Sequence, residues 1–309
     1  MSKFKNMSRH LKAFTAVLVT GLLLAALASG QAGRRSGGEA DISRERGMFL
    51  NVTATREDGS EERVTAKEVA LYDGGMEQTI QAFTPDPTPA RIVILVDNSL
   101  GLRADVEKLQ KATREFAYEI YEGDQVMVVG FDQQPEIISD WTDDAKKIEA
   151  ALPLFRKRGE PRLFDALSAV VSDAFGPLVG RTRKRVVVLV ADGLDRGSRT
   201  HFDKVYGDLL RQDITVYALQ IPDRTGGALR RDRLKPAQAI QKLTEGTGGR
   251  VLSVNDSRDA AKAICDELRR NRYVLAYMPT SLPLYDARRL LIVANEGIAV
   301  RHKLQQPGQ

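Results

Sequence analysis

Four stretches constrain the fold of this chain more than any other feature: RIVILV (Arg91–Val96), QVMVVGF (Gln125–Phe131), RVVVLVA (Arg185–Ala191) and TVYALQI (Thr215–Ile221). Each has the length of a strand and is apolar almost throughout, without the alternation of a half-exposed strand, so each needs cover on both faces. Between them lie segments of helical period: Ala104–Ile120, Asp144–Ala151, Phe164–Phe175, Phe202–Arg211, Ala237–Thr247 and a helix carrying Cys265. Strands alternating with helices predict an α/β domain with a doubly wound, mostly parallel, Rossmann-like sheet. Pro135–Ile138 reads as an edge strand and Arg250–Val254 as a short final one.

The flanks have a different character. Leu50, Val52 and Ala54 alternate before an Asp58-Gly59 turn, and Asp73-Gly74-Gly75 separates two further strand-like runs. After the α/β region, RYVLAYMP, RRLLIVAN and IAVRHK are three strands, the last two joined by Asn295-Glu296-Gly297. Neither end has enough strands to bury a core alone. Together they predict a small β-sandwich-like domain into which the α/β domain is inserted. TPDPTPA, with three prolines in seven residues, marks the entry boundary. The expected organisation is a β segment over 48–84, the α/β domain over 91–271 and a second β segment over 272–303.

At the N-terminus, Lys3, Lys5, Arg9 and Lys12 precede sixteen uncharged residues, Ala13–Ala28, ending in Ala-Leu-Ala. That order predicts a secretory signal peptide over 1–28, followed by a flexible linker over 29–47 rich in Gly, Ser and charge. An uncleaved membrane anchor is the alternative, though the run is short for a span. Cleavage would remove four of the 46 Lys and Arg and none of the 41 Asp and Glu, so the formal charge falls from +5 to +1. The basic balance is thus a property of the export segment. The remaining basic runs, Gly33–Arg35 and Leu229–Arg233, are too short to favour nucleic acid. The single cysteine, Cys265, excludes an intramolecular disulfide and lies on an apolar helix face. The predicted location is periplasmic or secreted.

Chemistry in an open parallel sheet collects at the carboxyl ends of its strands. Three loops there stand out: VDNSLGL with Asp97 and Ser99, RGEPRLFDA over Arg158–Ala166, and VADGLDRGS with Asp192. Singly, Asp97 also reads as a helix N-cap and Asp192-Gly193 as a turn. No P-loop, Gly-x-Ser-x-Gly elbow or His-Glu-x-x-His occurs. The three histidines are His10, within the signal segment, His201 before a helix, and His302; none reads as a base.

In these loops, and in the flanking LNVTAT, GGMEQTIQAF and RYVLAYMPT segments, the chain resembles the von Willebrand factor type A family. The likeness is to its exported bacterial subfamily of the acidobacterial type, and it covers roughly Leu50–Lys303. The family's metal ion-dependent adhesion site uses Asp-x-Ser-x-Ser after the first strand, a Thr in a second loop and an Asp after a later strand. These hold Mg²⁺ or a similar divalent cation and leave one position for a partner's carboxylate. By resemblance, Asp97, Ser99 and Asp192 match three of the metal ligands. Gly101 stands where the second Ser belongs. GEPRLFDA aligns with the usual GGTALYDA, so Pro161 replaces the Thr. Neither side chain has an oxygen. Glu160, Asp195 or a water could fill a gap, and Arg162 is expected to reach Asp97 or Asp192 as an internal counter-charge. Metal binding is therefore expected to be weak or absent.

The resemblance implies a non-enzymatic adhesion or scaffold module whose partner is a protein or cell-envelope component. Three readings follow: ion-assisted recognition through Asp97, Ser99 and Asp192; a metal-independent scaffold; and a metal-assisted hydrolase, which lacks an identifiable general base.

Overall fold

The computed structural model describes residues 47–178, 184–225, 234–280 and 285–308. The expected signal peptide over 1–28, the linker up to Arg46, and the Leu229–Arg233 run lie outside the described residues. In chain order, β1 (Met48–Arg56), β2 (Val69–Asp73), β3 (Met76–Gln78) and β4 (Ile80–Pro85) precede the α/β region. That region runs β5 (Arg91–Asp97), α1 (Val106–Glu119), β6 (Gln125–Phe131), β7 (Pro135–Thr142), α2 (Ala145–Ala151) and α3 (Leu163–Ala169), the last continuing as a π-helical stretch to Phe175. It continues with β8 (Arg185–Ala191), α4 (Phe202–Arg211), β9 (Ile214–Gln220), α5 (Pro236–Thr247), β10 (Val251–Ser253) and α6 (Ser257–Arg270). The chain then adds β11 (Arg272–Tyr277), β12 (Arg288–Ala294), β13 (Ile298–His302) and β14 (Gln305–Gln306).

The central sheet has the order β10-β9-β8-β5-β6-β7, parallel except for the edge strand β7. Because successive side chains of a strand point to opposite faces, its uniformly apolar strands build two cores. Ile92, Ile94 and Val96 pack with Leu109 and Phe116 of α1 and Ile264 and Leu268 of α6. Val93 and Leu95 pack with Leu163 and Leu167 of α3, Leu209 of α4 and Leu243 of α5. Each such side chain, fully removed from water, contributes about 1.5–3 kcal/mol. The chain crosses from β5 to β6 on one side and reaches β8 on the other, so the winding reverses at β5. Asp97 ends that strand, at the switch point where a doubly wound sheet opens a crevice.

The two chain ends form one sandwich. The sheet β13-β1-β11-β4 faces the sheet β14-β12-β2-β3, and both inner faces share a core of Leu50, Val52, Leu71, Phe83, Tyr273, Leu275, Leu290 and Ile292. β1 pairs antiparallel with β11 and β13, and β2 with β12, so each sheet needs strands from both ends. Asp73 of β2 accepts from Tyr277 Oη (2.8 Å) across the sandwich and is ion-paired with the buried Arg288 of β12 at 2.9 Å. β14 lies beyond the expected end of the second β segment at Lys303 and pairs with β12.

Polar side chains fix the sandwich to the α/β body. Arg272 donates to Thr53 of β1 (3.3 Å) and to Thr215 of β9 (2.6 Å), while Glu267 of α6 takes Arg301 of β13 and the hydroxyl of Tyr217. Gly248 follows α5 with φ +86°, and a Cβ there would lie 2.8 Å from the carbonyl carbon of His302. The left-handed conformation and the close approach both require glycine.

Candidate functional site

Asp97 leaves β5 completely buried and closes a turn on itself: Oδ1 accepts from the backbone N–H of Ser99 at 2.9 Å and from its hydroxyl at 2.5 Å. The N-cap of α1 is Asp105, which accepts from Lys108 N at 2.7 Å, so Asp97 has no capping duty. Asp192, equally buried, follows β8 on the neighbouring strand, and its Oδ1 accepts from Leu194 N at 3.0 Å. The intervening Gly193 has φ +85°, and a Cβ there would sit 2.3 Å from the carbonyl oxygen of Pro236. The turn that aims Asp192 inward therefore tolerates no side chain. The second loop is tied to the first, with Leu100 N donating to Gly159 O (3.2 Å) and Arg158 N to Asn98 O (2.9 Å).

The structure thus brings Asp97, Ser99 and Asp192 together. What lies among their oxygens is the guanidinium of Arg224, from the loop after β9. Its Nε donates to Asp192 Oδ2 at 2.6 Å, Nη1 to Ser99 Oγ at 2.7 Å, and Nη2 to Asp192 Oδ1 at 3.1 Å and to Asp97 Oδ2. Its backbone N–H also points to Asp192 Oδ2 (3.3 Å), and its carbonyl accepts from Arg103 at 3.2 Å. The Arg224 side chain is 8% exposed and both carboxylates 0%. Burial pushes the Asp97 carboxyl above its ordinary range, against the opposing pull of Arg224 and the Ser99 hydrogen bonds. Burial also works against the charged form of Arg224, but its contacts with Asp192 and Asp97 outweigh it and hold the guanidinium above its ordinary value.

The expected counter-charge is therefore corrected from Arg162 to Arg224. Arg162 begins α3, where its N–H donates to Asp132 O at 2.9 Å and its charge is felt by Asp165. The other candidate ligands are committed elsewhere. Glu160 pairs with Arg196 at 3.1 Å, and Asp195 accepts from Phe164 N at 3.1 Å and from Ser198. Pro161 is buried and its carbonyl accepts from Arg196 N at 2.6 Å. Mg²⁺ demands oxygen ligands in a near-octahedral shell at about 2.0–2.1 Å. Oxygens already donated to by a guanidinium, with no hydroxyl at positions 101 and 161, do not fit that group as arranged.

His302 is buried in the sandwich: Nε2 accepts from Ile292 N (3.0 Å) and Nδ1 lies 2.7 Å from Lys303 O. His201 is an exposed residue preceding α4. Cys265 is buried, and burial pushes its thiol up, away from thiolate. Among the described residues, no group of three or more His, Cys, Asp or Glu side chains is placed to hold a metal ion.

A doubly wound sheet with paired carboxylates at its switch point is a Rossmann-like α/β architecture. Residues 92–194 match the family described as the von Willebrand factor type A domain, and the α/β body of this chain is such a domain. Among solved structures, a von Willebrand factor type A protein from Catenulispora acidiphila is similar at 9% identity and a TM-score of 0.50, covering 86% of this chain and 75% of that one. BatB from Bacteroides thetaiotaomicron aligns at 20% identity and a TM-score of 0.44, over 58% of this chain and 97% of that one. An aerotolerance-related membrane protein from Bacteroides fragilis aligns at 20% identity and 0.45, over 58% and 98%. These likenesses are of fold. No curated protein matches the sequence significantly.

Proposed function

We propose that this chain is an exported, non-enzymatic interaction module, which docks on a protein or envelope component through the loops at the carboxyl edge of its type A domain. The observation that carries the reading is the family match over 92–194, joined to a rigid scaffold that presents these loops on one edge. Leu100, 66% exposed beside the buried carboxylates, gives that edge an apolar contact. Export rests on the Lys/Arg-led apolar run before Ala28. Among the described residues, no helix is long and apolar enough to cross a membrane.

Of ion-bridged and ion-free docking, the commitment of Arg224 to both carboxylates favours the ion-free form. The test is affinity capture from solubilised envelope with the full chain immobilised, with and without EDTA. A specific protein retained equally in both, and lost with Leu100→Asp, supports the reading. Retention that needs Mg²⁺ points to an ion bridge. Retention unaffected by Leu100→Asp moves docking off this edge. Turnover of phosphoester or peptide substrates by the purified chain would replace the proposal with the hydrolase reading.

A further inference from the structure

We infer that Arg224 is the resident cation of this site and that Gly101 is the residue that admits it, so the divalent-ion site has been converted to a guanidinium site rather than merely eroded. The inference deepens the ion-free reading above but needs no partner to be known.

The oxygens that remain are the ones a guanidinium can use. Its planar fork spans Asp192, Ser99 and Asp97 with one donor group for each, in a geometry that a point cation cannot reproduce. Two buried carboxylates are costly without compensation. One guanidinium supplies a single positive charge, and the rest of the load falls on Ser99 N, Ser99 Oγ, Leu194 N and Arg224 N, all of which donate to the same two carboxylates.

A Cβ added at Gly101 would lie 3.3 Å from Arg224 Nη1 and 3.5 Å from its Cδ. At 3.3 Å a side chain there would press on the guanidinium, which would have to give by a few tenths of an ångström. The absence of a side chain at 101 therefore eases the entry of Arg224, and a serine would crowd it.

If so, the cation-binding capacity survives beneath the guanidinium. Calorimetric titration of the metal-stripped full chain with MnCl₂ and MgCl₂ should show no saturable site at millimolar ion. Arg224→Ala should gain one site per chain. Gly101→Ser in that background should tighten it, and Asp97→Ala should remove it. A second readout is thermal: Arg224→Ala should melt below the parent, with the loss recovered by Mn²⁺ or low-millimolar guanidinium, neither of which should shift the parent. Arg224→Gln, neutral and of similar reach, serves if the alanine variant does not fold.

Stoichiometric Mn²⁺ binding by the unaltered chain overturns the inference. So does a folded Arg224→Ala or Arg224→Gln that binds no ion, or failure of both to fold even with Mn²⁺ or guanidinium. None of these results depends on partner capture, so the two readings fail separately.

Discussion

At position 101 the absence of a side chain sets what the neighbouring carboxylates can hold. Gly101→Ser in the otherwise unaltered chain should destabilise by about 0.5–1 kcal/mol, because position 101 is exposed and only the Arg224 side chain has to give. With Arg224→Ala the penalty should vanish, and a double-mutant cycle should return a coupling of about 0.5–1 kcal/mol. Additive effects in denaturant titrations would show that residues 101 and 224 do not compete. Asp97, Ser99 and Asp192 were legible in the sequence because each sits at a fixed offset from the end of an apolar strand. Arg224 was not, since nothing local ties it to residues 125 and 127 positions earlier in the chain. The chosen counter-charge, Arg162, was near in sequence to the lost ligand at 161. The signal that could have found Arg224 is topological: β9 adjoins β8, so its following loop, with Asp223-Arg224, opens at the same carboxyl edge as the other three.

The elements themselves follow from residue pattern. Strands apolar at nearly every position became the interior of the parallel sheet, but β12, apolar from Leu290 to Ala294, lies in the sandwich and leaves Leu291 and Val293 exposed. β14 is not legible in the sequence, because two glutamines carry no apolar signal; it pairs antiparallel with β12. Within the sandwich, Asp73 holds Arg288 and Tyr277 in a buried set. Asp73→Ala should cost about 3–5 kcal/mol by removing the buried carboxylate that Arg288 and Tyr277 share, whereas a change at the exposed Glu62, which meets Arg56 at 3.6 Å, should cost little in urea denaturation. His302 gives the sandwich a pH dependence. Burial lowers its pKa below the ordinary 6.5, so between that value and its folded one the unfolded chain binds more protons, and stability falls as pH falls. His302→Gln keeps an acceptor for Ile292 N without titrating. Its stability-against-pH curve below about pH 6.5 should be flatter than the parent's by up to about 1.4 kcal/mol per pH unit. Parallel curves would assign the acid sensitivity to carboxylates instead.

At the scale of the molecule, a sandwich built from strands at both ends of the described chain adjoins a type A domain whose candidate site lies at the carboxyl edge of the parallel strands. Arg272 and the Glu267–Arg301 pair join the two parts through polar contacts. The inserted arrangement was legible from strand shortage at each end, while the polar junction was not, because its members are scattered over 53, 215, 267, 272 and 301. Export predicts a mature N-terminus near Ser29; mass analysis finding Lys3–Ala28 intact in membranes would establish the anchor alternative. Crystals of the unaltered chain grown in millimolar Mn²⁺ and measured near the manganese absorption edge will show what occupies the switch point of the sheet. Arg224 should lie between Asp97 and Asp192 with no anomalous peak there; a manganese peak bound by those two carboxylates, with Arg224 displaced, would rule out the guanidinium site.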